Sequence, residues 1–129
     1  MKFSVVVYAS PYSNEAAISA LNFSSAVISK GHSIYRIFFF SDGVDNANKL
    51  AITPQDEINL QEKWHSLIQE NDLDSVVCVT SGLKRGIIDE KESKNSELDC
   101  SSIMPSSDLS GLGQLVDAYD NSDRVLNFG

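Results

Sequence analysis

Positive charge is scarce in this chain. Ten lysines and arginines stand against eighteen aspartates and glutamates, a formal net charge of −8 over 129 residues. Gripping a phosphate backbone requires clustered Lys and Arg, so direct nucleic-acid binding is not expected, and any RNA connection is expected to run through a partner. Long apolar runs are missing as well. None approaches the ~20 residues of a membrane-spanning helix, and the opening Phe3-Ser4-Val5-Val6-Val7-Tyr8 is too short for a secretory core and lacks a small-residue cleavage site. A cytoplasmic location away from membranes is the expectation. Cysteine is limited to Cys78 and Cys100. In a reducing compartment an isolated thiol is catalytic, metal-binding or inert, rather than half of a structural disulfide.

The familiar cofactor motifs are absent too. There is no CxxC or HxxxH, and His32 and His65 lie far in sequence from each other and from both cysteines, so neither a metal nor another cofactor is expected. Neither GxGxxG nor GxxxxGK[ST] occurs, and no GxSxG elbow frames any of the many serines. Asp42, Asp45, Asn46 and Asn48 lack the spacing of a calcium loop and read as turn and cap chemistry.

What is present alternates between two periodicities. Lys2 to Tyr8 is β-branched and aromatic without clean alternation, as in a strand buried on both faces. A helix follows from Asn14, with Ser13 or Asn14 as its cap, Ala17, Ala20, Leu21, Phe23, Ser24, Val27 and Ile28 along one face, and Gly31 as its stop. His32 to Phe40 reads as the second strand, ending at the turn Ser41-Asp42-Gly43. A second helix starts near Pro54 and Asp56, carries Leu60, Trp64, Leu67 and Ile68 on one side, and ends at Asn71-Asp72. Asp74 to Thr80 reads as the third strand, with a short helix over Ile87 to Lys91. Ser93 to Asp108 reads as mostly loop that could conceal a short strand near Ile103 or Leu109. Leu109 to Tyr119 reads as a helix with Leu112, Leu115, Val116 and Tyr119 on one side, and Arg124 to Phe128 as a last strand. With strands and helices alternating and no linker, the expected fold is a single α/β domain over residues 1–129, a three-layer α/β/α sandwich on a mostly parallel sheet of about five strands.

Sites in such sheets lie beyond the carboxyl ends of the strands, and that is where Cys78 falls. From residue type alone a cysteine in Val76-Val77-Cys78-Val79 is a core hydrophobe or a nucleophile. The segment Ser81-Gly82-Leu83-Lys84-Arg85-Gly86 reads as a tight, basic turn, and its amides and cations favour a thiolate. Gly82, Lys84 and Arg85 are therefore the candidate supporting residues. Cys100 reads as an incidental loop thiol or one able to trap Cys78 in a disulfide.

Separated landmarks then agree with one family: Gly31-His32, Phe38-Phe39-Phe40-Ser41-Asp42-Gly43-Val44 with Ala47-Asn48, Asp56-Glu57 with Trp64, Cys78-Val79 with Lys84-Arg85-Gly86 and Asp89, Leu109-Ser110-Gly111-Leu112-Gly113, and Asp123-Arg124-Val125. Together they make the chain resemble the DsrE-type sulfur-relay family, and within it the TusD-type subunits, nearly end to end. The resemblance implies a sulfurtransferase in which Cys78 accepts sulfane sulfur as a persulfide and hands it on toward 2-thiouridine at the tRNA wobble position. It also implies a heterohexamer with TusB-like and TusC-like subunits, a TusA-like donor and a TusE-like acceptor. A DsrE-like role in dissimilatory sulfur oxidation, or an assembly subunit with Cys78 as a core residue, are the other readings. The chain departs from the pattern at Thr80-Ser81, at Lys84 and at Pro11-Tyr12-Ser13.

Overall fold

The computed structural model describes all 129 residues. In chain order the elements are β1 (Lys2–Val7), α1 (Ala16–Ser29), β2 (Ser33–Phe39), a 3₁₀ turn (Ser41–Ala47), α2 (Leu60–Glu70), β3 (Ser75–Cys78), α3 (Val79–Lys84), α4 (Glu90–Asn95), β4 (Asp108–Ser110), α5 (Gly113–Asn121) and β5 (Arg124–Phe128). The five strands form one sheet in the order β4-β3-β2-β1-β5, and every neighbouring pair is parallel. No helix is long and apolar enough to cross a membrane.

Right-handed crossovers explain which face each helix covers. The steps β1→β2→β3 move one way across the sheet and place α1 and α2 on the same face. The step β4→β5 returns across the whole sheet and places α5 on the other. Packing follows this division. Val5, Val7, Ile37, Phe39 and Val77 join Ala17, Leu21, Trp64 and Ile68 in the large core. Val6, Phe38, Val76 and Cys78 form a small second core, with Leu115, Val125, Tyr8 and Phe40 packed on it. α1 and α2 thus lie side by side in one outer layer, with α3 against β3 and β4 on that same face, and α5 covers the other.

α5 is pinned by charge. A bulge in the β1–β2 register, where Phe3 pairs with Ile34 and Ser4 with Arg36, leaves Tyr35 without a partner. Tyr35 and Arg36 both reach Asp117, the Tyr35 hydroxyl at 2.6 Å and Arg36 Nη1 at 2.9 Å. Arg36 also donates to the Gln114 carbonyl and to Asp74. The hydrogen bond from Tyr35, and then that from Arg36, hold the Asp117 carboxyl below the usual carboxylate range.

Several boundaries differ from the sequence expectation. α2 starts at Leu60 rather than near Pro54, because the Asn59 side chain accepts from the Glu62 N–H and supplies the cap. The third strand stops at Cys78, and the expected tight turn after it is α3. Its end is the reason: Ile87 N–H donates to the Gly82 carbonyl and Gly86 N–H to that of Leu83. That pair of bonds is a Schellman ending, with Gly86 at φ +76°. The expected helix over Ile87 to Lys91 is shifted to α4, capped by Asp89, while Ile87 is wholly buried.

The stretch 93–108 is no free loop. Lys49 N–H bonds the Ser102 carbonyl and Met104 N–H that of Ala47, and Asn48 bridges Ile103. Leu109 belongs to β4, the short strand expected near it, and not to the last helix; of the four apolar residues expected on one side of that helix, only Leu115 packs inward. Leu112, Val116 and Tyr119 are 52%, 61% and 52% exposed.

The 3₁₀ turn passes so close to β1 that a Cβ on Gly43 would lie 1.9 Å from the Val7 carbonyl oxygen. Gly43→Ala is therefore expected to cost about 3 kcal/mol in urea unfolding. Gly111→Ala, at a position with nothing within 4 Å, is expected to change stability by less than about 0.5 kcal/mol.

Candidate active site

Cys78 is both the last residue of β3 and the residue from which α3 springs, at φ −57° and ψ 120°. It pairs with Ser110 of β4 across the sheet edge. Its thiol makes no capping hydrogen bond to α3. Val6, Phe38 and Val76 surround it, and the residue is 3% exposed in the single chain. Tyr8 and Phe40, half-buried and in edge-to-face contact at 5.5 Å, complete this end of the cluster. Both thiols are free, Cys78 buried and Cys100 exposed.

The three supporting candidates are distributed along α3. Gly82 is buried. A Cβ there would meet Leu109 Cδ2 at 3.0 Å, and the Ile87 carbonyl oxygen and Val77 Cγ1 at 3.2 Å each. The residue lets α3 lie flat against β3 and β4. Lys84 ends the six-residue α3 and Arg85 follows it, so about 9 Å of helix axis lies between the backbone of Cys78 and that of Lys84. Lys84 is exposed and in no ion pair. Arg85 is engaged by Asp42, its Nε and Nη2 both 3.1 Å from Oδ1, and its Nη1 donates to the Ser81 carbonyl.

The Asp42–Arg85 pair was hidden in the sequence, where Asp42 reads as a turn residue. A second bond runs parallel to it: Ser41 N–H donates to Ser81 Oγ at 3.0 Å, with Ser41 at φ 54°. The 3₁₀ turn after β2 is thereby tied to the helix after β3. The signal that could have found the pair is topological, since loops after adjacent parallel strands share one sheet edge and opposite charges in them meet. Asn46 lies beneath, donating to the Ala9 and Gly43 carbonyls. Tyr12 of the first loop serves α2: its hydroxyl accepts from Leu60 N–H and donates to Gln61 Oε1.

No group of three His, Cys, Asp or Glu stands close enough to hold a metal. His32 Nδ1 meets the chain's amino group, and His65 Nδ1 meets Ser106 Oγ.

The sequence profile of the DsrE/DsrF-like family matches residues 1–128. The chain belongs to that family. DsrE of Allochromatium vinosum is 42% identical over 129 residues, covering 100% of this chain and 99% of its own. The sulfurtransferase TusD homolog of Pseudomonas aeruginosa is 39% identical over 100% of this chain and 98% of its own. Sulfurtransferase TusD of Cronobacter sakazakii is 38% identical over 99% of this chain and 100% of its own. The fold matches the crystal structure of the ychN protein from E. coli with a TM-score of 0.79 at 22% identity, covering 98% of each chain. In this DsrE/DsrF-like chain the landmark segments around Asp42 and around Cys78 to Gly86 converge on one sheet edge through the contacts just described.

Burial pushes the Asp45 carboxyl above the usual range, Arg85 opposing and Asp42 adding to the shift. A carboxyl whose folded pKa is raised binds its proton more tightly in the native state, so stability falls as pH rises from the unfolded value, near ~3.9, through the folded one. Asp45→Asn is therefore expected to raise the melting temperature at pH 7, with the gain vanishing below about pH 3. Thermal melts at both pH values check this.

Proposed function

We propose that this chain is a sulfurtransferase subunit that carries sulfane sulfur as a persulfide on Cys78. The observation that supports this most is the place of Cys78: the junction of strand and helix at the carboxyl edge of the sheet, in a family whose relatives at 38–39% identity are named sulfurtransferase. Chemistry at such a point requires one thiol and no cofactor. The Cys78 thiolate attacks the outer sulfur of a donor persulfide, the donor S–S bond breaks, and the donor thiolate leaves. Cys78 then carries the terminal S–H until an acceptor thiolate attacks that same sulfur and Cys78 departs as thiolate. Electrons balance at both steps, since each exchanges one S–S bond for another.

Lys84 and Arg85 supply positive potential at this edge, and Gly82 keeps α3 close to the sheet. Because Cys78 is 3% exposed in the single chain, access comes with the assembly. TusB-like and TusC-like subunits have the exposed Leu112, Val116 and Tyr119 of α5 to pack against, on the same face of the sheet as Cys78. A TusA-like donor and a TusE-like acceptor are the sulfur partners, and 2-thiouridine at the tRNA wobble position is the product served. A cytoplasmic setting follows from that pathway. The 42% identity to DsrE favours a second reading, with the same carrier chemistry feeding dissimilatory sulfur oxidation.

Incubation with a persulfide donor followed by intact-mass and peptide analysis tests the carrier. Wild type and Cys100→Ser are expected to gain one sulfur atom on the peptide containing residue 78, and Cys78→Ser none. Lys84→Ala and Arg85→Ala are each expected to load about two- to fivefold more slowly. Loading that persists in Cys78→Ser, or its absence from the assembled wild type, would overturn the assignment and leave Cys78 a core residue. Loss of tRNA 2-thiouridine on gene deletion separates the first pathway from the second.

A further inference from the structure

On the face of the sheet opposite Cys78, α1 and α2 leave an open groove of about 610 Å³ between them, continuous through Ile18 and Ile58 with a second of about 440 Å³ at their N-terminal ends. Its apolar floor is formed by Ile18, Leu21, Leu67 and Ile58, and Ile58 is 52% exposed. Its rim is acidic: Glu62 and Glu70 line the main groove and Glu15 and Glu57 its continuation, with Lys63 the one cation lining either part. None of these four carboxylates is in an ion pair within the chain.

We propose that this groove docks a basic amphipathic helix of a partner protein. Two helices side by side present ridges that receive a third helix. Its apolar stripe would cover Ile18, Ile58 and Leu67, and lysines or arginines on either side of that stripe would meet the four glutamates.

The sign of the charge decides among occupants. A nucleic acid or an anionic membrane would bring negative charge to a negative rim. A second copy of the chain is disfavoured in the same way: the net charge is −8, α1 carries no charged residue and α2 has two acids for its one lysine. The groove lies over the large core while Cys78 lies in the small one. A helix seated here therefore holds a partner to the molecule while leaving the thiol face open, and the inference does not depend on the chemistry assigned to Cys78.

The probe is a labelled synthetic helix of about 14 residues, the length of α1, with a leucine stripe flanked by lysines. It is titrated into the full chain by fluorescence anisotropy. The expected result is saturable binding that weakens with salt, with amide shifts confined to residues 12–25 and 57–70. Glu62→Lys/Glu70→Lys is expected to weaken binding about tenfold. Asp99→Lys/Asp120→Lys, the same change of charge at exposed positions elsewhere, is expected to leave it within about twofold. Replacing the peptide's leucines by serine, or its lysines by glutamate, is expected to abolish binding. Equal losses in both double variants, undiminished binding of the serine peptide, or the same amide shifts on concentrating the protein alone would each overturn the proposal.

Discussion

The flush parallel register of the three inner strands is the constraint from which the rest of the structure follows. Val7, Phe39 and Val77 stand at one level across β1, β2 and β3. The residues after them, Tyr8, Phe40 and Cys78, therefore emerge together at the carboxyl edge and pack in one cluster. Everything that closes this edge is fixed to that level. Gly43 lets the 3₁₀ turn lie against the end of β1, and Ser41 and Asp42 join that turn to α3. The two bonds act on a helix of only six residues, which has little stability of its own. The pose of α3 beside Cys78 is thus set largely by contacts made at its middle and far end.

Much of this was legible in the residues. β5 spans Arg124–Phe128, the range expected for the last strand, and Gly31 ends α1 because a left-handed residue must follow the last turn. The parallel sheet followed from the alternation of strands with helices. What escaped was decided at longer range. β4 is three residues long, too short to show a period, so the short strand expected near Ile103 or Leu109 had no fixed bounds, and Leu109 also read as the start of the helical pattern that follows. Glu97 adopts φ 55° at the end of α4, a conformation its residue type does not announce. Gly82 read as a turn glycine, whereas its lack of a side chain is needed for contact with Leu109 and Val77.

The placement of Cys78 in the sheet was legible in the residues, and its surroundings were less so. Val76, Val77 and Cys78 read plainly as a buried strand, although the strand stops at Cys78 rather than at Thr80. The burial of Cys78 depends on Phe38, Val6 and the aromatic pair Tyr8–Phe40, which are distant in sequence and meet only through strand register. Lys84 and Arg85 looked adjacent to the thiol in a turn. Winding residues 79–84 into a helix moves them to its other end, where Arg85 finds Asp42. The local backbone decides which neighbours Cys78 has.

The charged tether under α5 gives that helix a mechanical asymmetry. Tyr35 and Arg36 fasten it at Gln114 and Asp117, while its first turn begins at Leu112 with no side-chain cap. Leu115 rests on the cluster that holds Cys78. Gln114 and Leu115 both lie in that first turn, so the end nearest the sulfur is the held one, and the helix opens first from its far end, where Asn121 bonds only back to Asp117.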